Sequence, residues 1–84
     1  MNLYLISQSE NNDYDTFNSA IVASPTLEEA RHIHPSSSEY DSWENEQGVY
    51  GCWCSSPEQV VSVLIGKAIP GTPKGVILAS YNAG

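Results

Sequence analysis

The sequence predicts an α+β domain: a small antiparallel sheet of about four strands, in the order β-β-α-loop-β-β, with one short helix packed on one face. Three observations support this class. Strand-like segments stand near both ends of the chain, one segment between them carries helix start and stop signals, and short connections favour antiparallel pairing. At 84 residues the chain is one domain, 1–84, with room for one small core.

The first two predicted strands flank a polar loop. The segment "NLYLISQ" alternates, so Leu3, Leu5 and Ser7 share one face while Tyr4 and Ile6 share the other. The loop "SENNDYDT" is too long for a tight hairpin. "NSAIVAS" is rich in small and β-branched residues, which favours a second strand.

The segment "SPTLEEARHIHP" carries the signals of a short helix. Ser24 or Thr26 can cap its first turn, and Thr26 with Glu29 matches a capping box. Pro35 ends it, so the helix has little more than two turns. The residues expected to face inward are Leu27, Ala30 and either Ile33 or His34.

The second half of the chain begins with a stretch that has no clean period. "SSSEYDSWENEQGVYG" predicts a long ordered loop, anchored by Trp43, Tyr50 and Trp53, and "SSPEQ" predicts one helical turn. "VVSVLIGKAI" is the longest apolar run, which predicts a central strand. "PGTPKG" has turn composition, and "GVILAS" predicts the last strand.

Charge is distributed very unevenly along the chain. The net charge is −7, and all ten carboxylates lie between Glu10 and Glu58, where Arg31 is the one Lys or Arg, so this segment carries −9. Such a surface disfavours direct binding to nucleic acid and to anionic membranes. It favours basic partners, whose encounter the field accelerates.

The cysteines and histidines form two close pairs, "CWC" at 52 and 54 and "HIH" at 32 and 34. Residues so close make a strained disulfide, which predicts reduced thiols. The four side chains together are a possible zinc set, but their one-residue spacing disagrees with the usual separation of two or more residues. No nucleophile motif surrounds them and no phosphate-binding glycine loop is present, so the sequence predicts a non-enzyme without a cofactor.

Three pairs of carboxylates have the spacing of charges along a nucleic-acid strand. On an extended backbone, side chains at i and i+2 point the same way, about 6.7 Å apart. Tyr40 and Trp43 lie among these acids as apolar anchors. The predicted partner-binding residues are therefore Asp13, Asp15, Glu39, Asp41, Glu44, Glu46, Trp43 and Tyr40.

A second interpretation is that the protein binds a small ligand such as a nucleotide signal. Its aromatic side chains would stack on the base, and Arg31 and His34 would reach the phosphates. The scarcity of cations weighs against this, and Trp53 with at least one tyrosine is expected in the core. The aromatic candidates are Tyr14, Tyr40, Trp43, Tyr50 and Trp53.

The pattern "NNDYDTFNSAIVAS…EEARHIHP…W…SPEQV…IGKA…GVILASYNAG" is similar to small proteins encoded by phages and mobile elements. The profile of a tiny, acidic, single-domain protein also resembles anti-CRISPR proteins. That resemblance implies inhibition of a host CRISPR–Cas effector, or of another basic DNA-binding protein, by carboxylates placed where DNA would bind. Anti-CRISPR proteins share no common motif, so the resemblance assigns no residue by position. Two alternatives stay open: an anti-defence protein that binds a nucleotide signal, and a regulatory phage protein without DNA mimicry.

The remaining expectations concern assembly and compartment. The N-terminus "MNLYLISQSENND" lacks the basic region and cleavage site of a secretory signal, and no apolar run is long enough to span a membrane. The sequence therefore predicts a cytoplasmic protein of the host cell that begins at Met1. We expect a monomer without membrane contact.

Overall fold

The chain forms a four-stranded antiparallel sheet. The computed structural model describes residues 1–10, 15–36, 53–54 and 56–82. Its strands are β1 (Asn2–Ser7), β2 (Thr16–Ser24), β3 (Val61–Lys67) and β4 (Gly75–Asn82), with the spatial order β3-β1-β2-β4. Every neighbouring pair is antiparallel, so the broad α+β class that the sequence predicts is confirmed.

One face of this sheet is covered and holds the core. Tyr4 and Ile6 of β1 lie opposite Val22 and Ala20 of β2, and all four are buried. Their alternation is the one predicted from "NLYLISQ". The core cluster is completed by Ala30, Trp53, Cys54 and Val60, so the prediction that Trp53 is structural is confirmed.

The helix α1 (Leu27–Arg31) has five residues, which is shorter than the predicted two turns and more. Thr26 is its N-cap, as expected, because the Thr26 hydroxyl accepts a hydrogen bond from the Glu29 backbone N–H at 3.1 Å. Ala30 packs into the core, but Leu27 is 43% exposed, so its predicted inward orientation is wrong. With so few residues, α1 buries little beyond the methyl group of Ala30.

Two parts of the predicted layout need correction. The helical turn predicted in "SSPEQ" is present as a 3₁₀ turn, Pro57–Gln59, and its place between α1 and β3 means that the observed element order is not the simple β-β-α-loop-β-β. β3 is an edge strand rather than a central one, since it pairs with β1 alone among the described residues. The apolar run 60–69 predicted a central strand, but five of its large side chains are exposed: Val61, Val63, Leu64, Ile65 and Ile69.

β3 and β4 are consecutive in sequence but lie at opposite edges of the sheet, so residues 68–74 must cross one end of it. The Ala68 backbone N–H donates to the Met1 carbonyl at 2.9 Å, which ties the start of this connection to β1. Thr72 donates from its backbone N–H and its hydroxyl to the Ile69 carbonyl, and Gly71 adopts a φ of +91°. The predicted turn chemistry of "PGTPKG" is therefore used to close the connection.

Candidate functional site

The predicted partner-binding residues fall mostly outside the part of the chain that the structure describes. Asp15 is described. The others lie outside the described residues: Asp13, Glu39, Tyr40, Asp41, Trp43, Glu44 and Glu46.

Asp15 lies in a turn directly before β2 and has a φ of +61°, a left-handed conformation that Asp tolerates better than most residues. Its backbone N–H donates to the Asn82 carbonyl at 2.6 Å, and the Tyr81 hydroxyl donates to its carboxylate at 3.5 Å. The Tyr81 ring packs on Phe17 with a centroid distance of 4.8 Å. The end of β4 therefore holds this predicted site residue in place.

The two carboxylates of α1 are engaged by cations. The Glu29 carboxylate lies 3.1 Å from the Lys74 Nζ, and the Glu28 carboxylate lies 3.5 Å from an Arg31 guanidinium nitrogen. The hydrogen bond from Lys74, followed by that from the Thr26 hydroxyl, lowers the pKa of Glu29. Because these pairs are exposed, each stabilises the fold only slightly. Their effect on the surface is to lower its negative charge at the helix.

Arg31 links α1 to the segment before β3. Its side chain is about one-third exposed, and its Nε donates to the Val60 carbonyl at 3.4 Å. Glu58, on the 3₁₀ turn, has its pKa lowered by a hydrogen bond from its own backbone N–H, then by one from Ser56 and by the charges of His32 and Arg31. Glu28, Glu58 and Arg31 therefore share one neighbourhood on the helix side of the molecule.

The sheet itself is almost free of charge. Among the described strands, Lys67 at the end of β3 is the one charged residue, and no carboxylate lies on any strand. The described carboxylates all lie on α1, on the 3₁₀ turn or in the loop between β1 and β2; they are Glu10, Asp15, Glu28, Glu29 and Glu58. Charge and sheet are therefore separated in the part of the chain that the structure describes.

The possible zinc set is not assembled by the described residues. Cys54 is a buried, reduced thiol whose Sγ contacts the Ser56 carbonyl at 3.4 Å, while Cys52 lies outside the described residues. The Nδ1 of His32 lies 2.9 Å from the Glu28 carbonyl oxygen, and that of His34 lies 2.8 Å from the Ser36 hydroxyl. Across residues 1–10, 15–36, 53–54 and 56–82, no three metal-ligating side chains converge.

The small-ligand interpretation loses several of its residues. Trp53 is buried in the core, so its ring has no free face on which a base can stack. Arg31 is engaged by Glu28 and the Val60 carbonyl, and His34 is buried. The other aromatic candidates lie outside the described residues; they are Tyr14, Tyr40, Trp43 and Tyr50.

The second face of the sheet, here called the open face, carries a feature that the sequence did not predict. Residues directly opposite one another in paired strands project on the same side, so the strand register defines this face. Three of its large aliphatic side chains are 50–65% exposed. The open face consists of Leu5, Ser7, Ser19, Ile21, Val61, Val63, Leu78 and Ser80.

A shallow depression of about 300 Å³ lies at the β4 end of the open face. It is lined by Leu5, Ser19, Ala20, Ile21, Leu78, Ala79 and Ser80. Its walls carry hydroxyl and aliphatic groups and no titratable side chain, so it is suited to apolar contact rather than to acid–base chemistry. The alternation of side chains along β1 was the one sequence signal for this face, because it places Leu5 on the side of the sheet that faces away from the core.

Comparison with protein-family models, with curated proteins and with solved structures finds no match for this chain. Among the residues that the structure describes, no helix combines the length and apolar character needed to cross a bilayer.

Proposed function

We propose that this chain is an inhibitor of the phage anti-defence type, which binds a basic, DNA-handling surface of a host protein through its carboxylates. The most direct target class is a CRISPR–Cas effector, as the resemblance implies. The observation that carries the proposal is the segregation of charge. Residues 10–58 hold all ten carboxylates against one Lys or Arg, and none of these carboxylates lies on a described strand.

The described cations strengthen this argument because two of them are used internally. Arg31 contacts Glu28 and the Val60 carbonyl, and Lys74 contacts Glu29. These pairs neutralise charge near α1, so the strongest excess of carboxylates belongs to residues 38–46, which contain four acids and no cation. A run of this kind attracts Arg and Lys side chains, which bind carboxylates by charge-assisted hydrogen bonds.

The described residues that flank this acidic stretch are mostly buried. His34 and Pro35 are buried before it, and Trp53 and Cys54 are buried after it in the core that α1 covers. The segments on both sides of the stretch are therefore held in the fold, and the segment after it belongs to the core on the covered face of the sheet.

The test is DNA cleavage by a purified CRISPR–Cas effector with its guide RNA, measured with increasing inhibitor. We expect the double variant Glu44→Gln, Glu46→Gln to inhibit at least about tenfold less well near 50 mM salt, with a smaller difference near 300 mM, because exposed charges are screened by salt. The matched control is Ile69→Lys with Pro73→Lys, which raises the net charge equally at exposed positions of the β3–β4 connection. This control should inhibit like the wild type.

Equal losses from both double variants would show that net charge alone matters and would refute a specific carboxylate surface. Unchanged inhibition by the Glu44 and Glu46 variant would refute the use of these carboxylates. A pull-down from host lysate at low and at high salt provides the wider search, and the proposal predicts that a nucleic-acid-binding complex is recovered at low salt only.

A further inference from the structure

We propose that the open face binds a second copy of this chain and forms a symmetric dimer of stacked sheets. The sequence-based expectation is a monomer, but the structure exposes large aliphatic side chains on the two outer strands of the sheet: Leu78 of β4 is 65% exposed and Val63 of β3 is 50% exposed. A clustered apolar surface of this kind on a small domain usually marks an interaction site. The inference does not depend on the proposed function.

The open face consists of two parallel rows that run across the strands. The aliphatic row is formed by Val63, Leu5, Ile21 and Leu78, which lie directly opposite one another in the order β3-β1-β2-β4. The serine row lies next to it and is formed by Val61, Ser7, Ser19 and Ser80. Large side chains thus stand beside small ones at three of the four strands.

This arrangement is complementary to itself. The two rows are separated by two residues along each strand, about 6.7 Å. A two-fold axis that lies between the rows and parallel to them places the aliphatic row of each copy over the serine row of the other. Leu78 then enters the depression of about 300 Å³ beside the partner's Ser80 and the partner's Ser19. Val63 packs against the partner's Val61.

The available area is sufficient for a weak dimer. Strands of six to nine residues are about 20–30 Å long, and four of them span about 19 Å, so the two faces together bury roughly 1,000 Å². This is near the lower limit for a specific interface. We therefore expect a dissociation constant in the range of roughly 1–50 µM.

Charge does not oppose this dimer even though each copy carries −7. Neither row contains a charged residue, so the described side chains of the two rows bring no like charges together across the interface. The described ion pairs at Glu28 and Glu29 lie on α1, which packs on the covered face of the sheet, and charges separated by more than about 8 Å are screened at physiological salt. Salt should therefore leave dimerisation unchanged or strengthen it.

The test is sedimentation equilibrium of the full chain between roughly 1 µM and 500 µM, a range that brackets the expected dissociation constant. We expect the wild type to pass from monomer to dimer. Leu78→Lys should raise the dissociation constant at least about 100-fold, because the symmetry places this side chain in the interface twice. Ile69→Lys is the matched control, since Ile69 is 78% exposed in the β3–β4 connection, and it should dimerise like the wild type.

A second variant, Ser80→Leu, tests the complementarity of the rows rather than apolar area. It adds apolar surface to the open face but fills the place that Leu78 of the partner enters, so we expect it to weaken the dimer at least about tenfold. Ser80 is exposed, so the substitution need not disturb the protomer, and far-UV circular dichroism should confirm unchanged secondary structure.

Three results would overturn the inference: a wild type that stays monomeric at the highest concentration, a dimer that survives Leu78→Lys, or a dimer that Ser80→Leu strengthens. The last two would indicate pairing through the strand edges or another surface. The salt response separates this inference from the proposed function, because partner binding through carboxylates weakens as salt rises and stacking of the open faces does not.

Discussion

Replacement of Ile6 by alanine should destabilise the protein severely, whereas the same change in apolar volume at Leu78 should not. Ile6 is 0% exposed on the covered face, opposite Ala20 and Ser62, while Leu78 is 65% exposed on the open face. Ile→Ala and Leu→Ala each remove three carbon atoms. The two variants therefore differ in the location of the lost atoms and not in their number.

The expected magnitudes follow from burial. Three buried carbons contribute about 2.4 kcal/mol of transfer free energy, and the cavity left behind raises the cost of Ile6→Ala to about 3–4 kcal/mol. Leu78 has about one-third of its surface buried, so Leu78→Ala should cost less than about 1 kcal/mol. A domain of 84 residues has a total stability of roughly 4–13 kcal/mol, so Ile6→Ala removes a large part of it.

Urea unfolding, monitored by tryptophan fluorescence, measures the free energy of unfolding of both variants, since the buried Trp53 ring becomes exposed to water on unfolding. The protein should be kept near 1 µM so that any dimer does not contribute. The melting temperature of Ile6→Ala should fall by roughly 12–30 °C. Equal costs for the two variants would refute the assignment of covered and open faces, because a one-residue slip in register exchanges the two sets of side chains.

Two further predictions concern the helix and the β3–β4 connection. Because Lys74 and Thr26 lower the pKa of Glu29, this carboxylate contributes stability above its ordinary pKa of 4.5 and loses that contribution as the pH falls through its lower folded value. The melting temperature of Glu29→Gln should therefore fall less than that of the wild type when the pH is lowered below 4.5. An unchanged dependence of melting temperature on pH would contradict this role. Gly71→Ala should cost about 1 kcal/mol in urea unfolding because of the φ of +91°, whereas Gly66→Ala should cost less than about 0.5 kcal/mol. Neither new Cβ meets an atom within 4 Å, so equal costs would show that the backbone conformation is not the cause.

Much of the secondary structure was predictable because its signals are local. The alternation of Leu3, Tyr4, Leu5 and Ile6 depends on the pleat of one strand, and the Thr26 cap depends on one turn of helix. Strand order depends instead on which segments meet in space. The sequence therefore located "VSVLIGK" as a strand but did not show that it lies at an edge of the sheet.

The error at β3 has a physical cause. An unbroken run such as Val63, Leu64 and Ile65 is usually buried on both faces, and this rule led to the prediction of a central strand. In the structure the run pairs with β1 on one side, and the register shifts between Leu3 and Tyr4, where a bulge interrupts the alternation. An apolar run at an edge is unusual, because exposed edges of this kind invite pairing with other chains.

The candidate site was less predictable than the fold, and for a different reason. Carboxylates were identified from composition and spacing, which indicate how much charge a segment carries but not which cations approach it. Lys74 is 45 residues from Glu29 in sequence, yet its Nζ lies 3.1 Å from the Glu29 carboxylate. Pairs of this kind arise when residues 68–74 cross the end of the sheet towards α1. Long-range ion pairing therefore decides which acids contribute to an acidic surface, and among the described acids it engages Glu29 of the helix.

Among the described residues charge is separated from the sheet, so the proposed carboxylate surface and the open face have opposite requirements. A carboxylate surface works best when it faces water and a basic partner, because its field is weakened by salt and by nearby cations. An aliphatic row is stabilised only when water is excluded from it. In the proposed dimer both requirements are met together. The open faces stack on each other and are removed from water, while the covered faces, with α1 and its carboxylates, point outward in opposite directions. The Leu78→Lys variant should be a monomer that carries one carboxylate surface, whereas the wild-type dimer carries two. If this monomer still inhibits a basic partner, the carboxylate surface and the open face act independently.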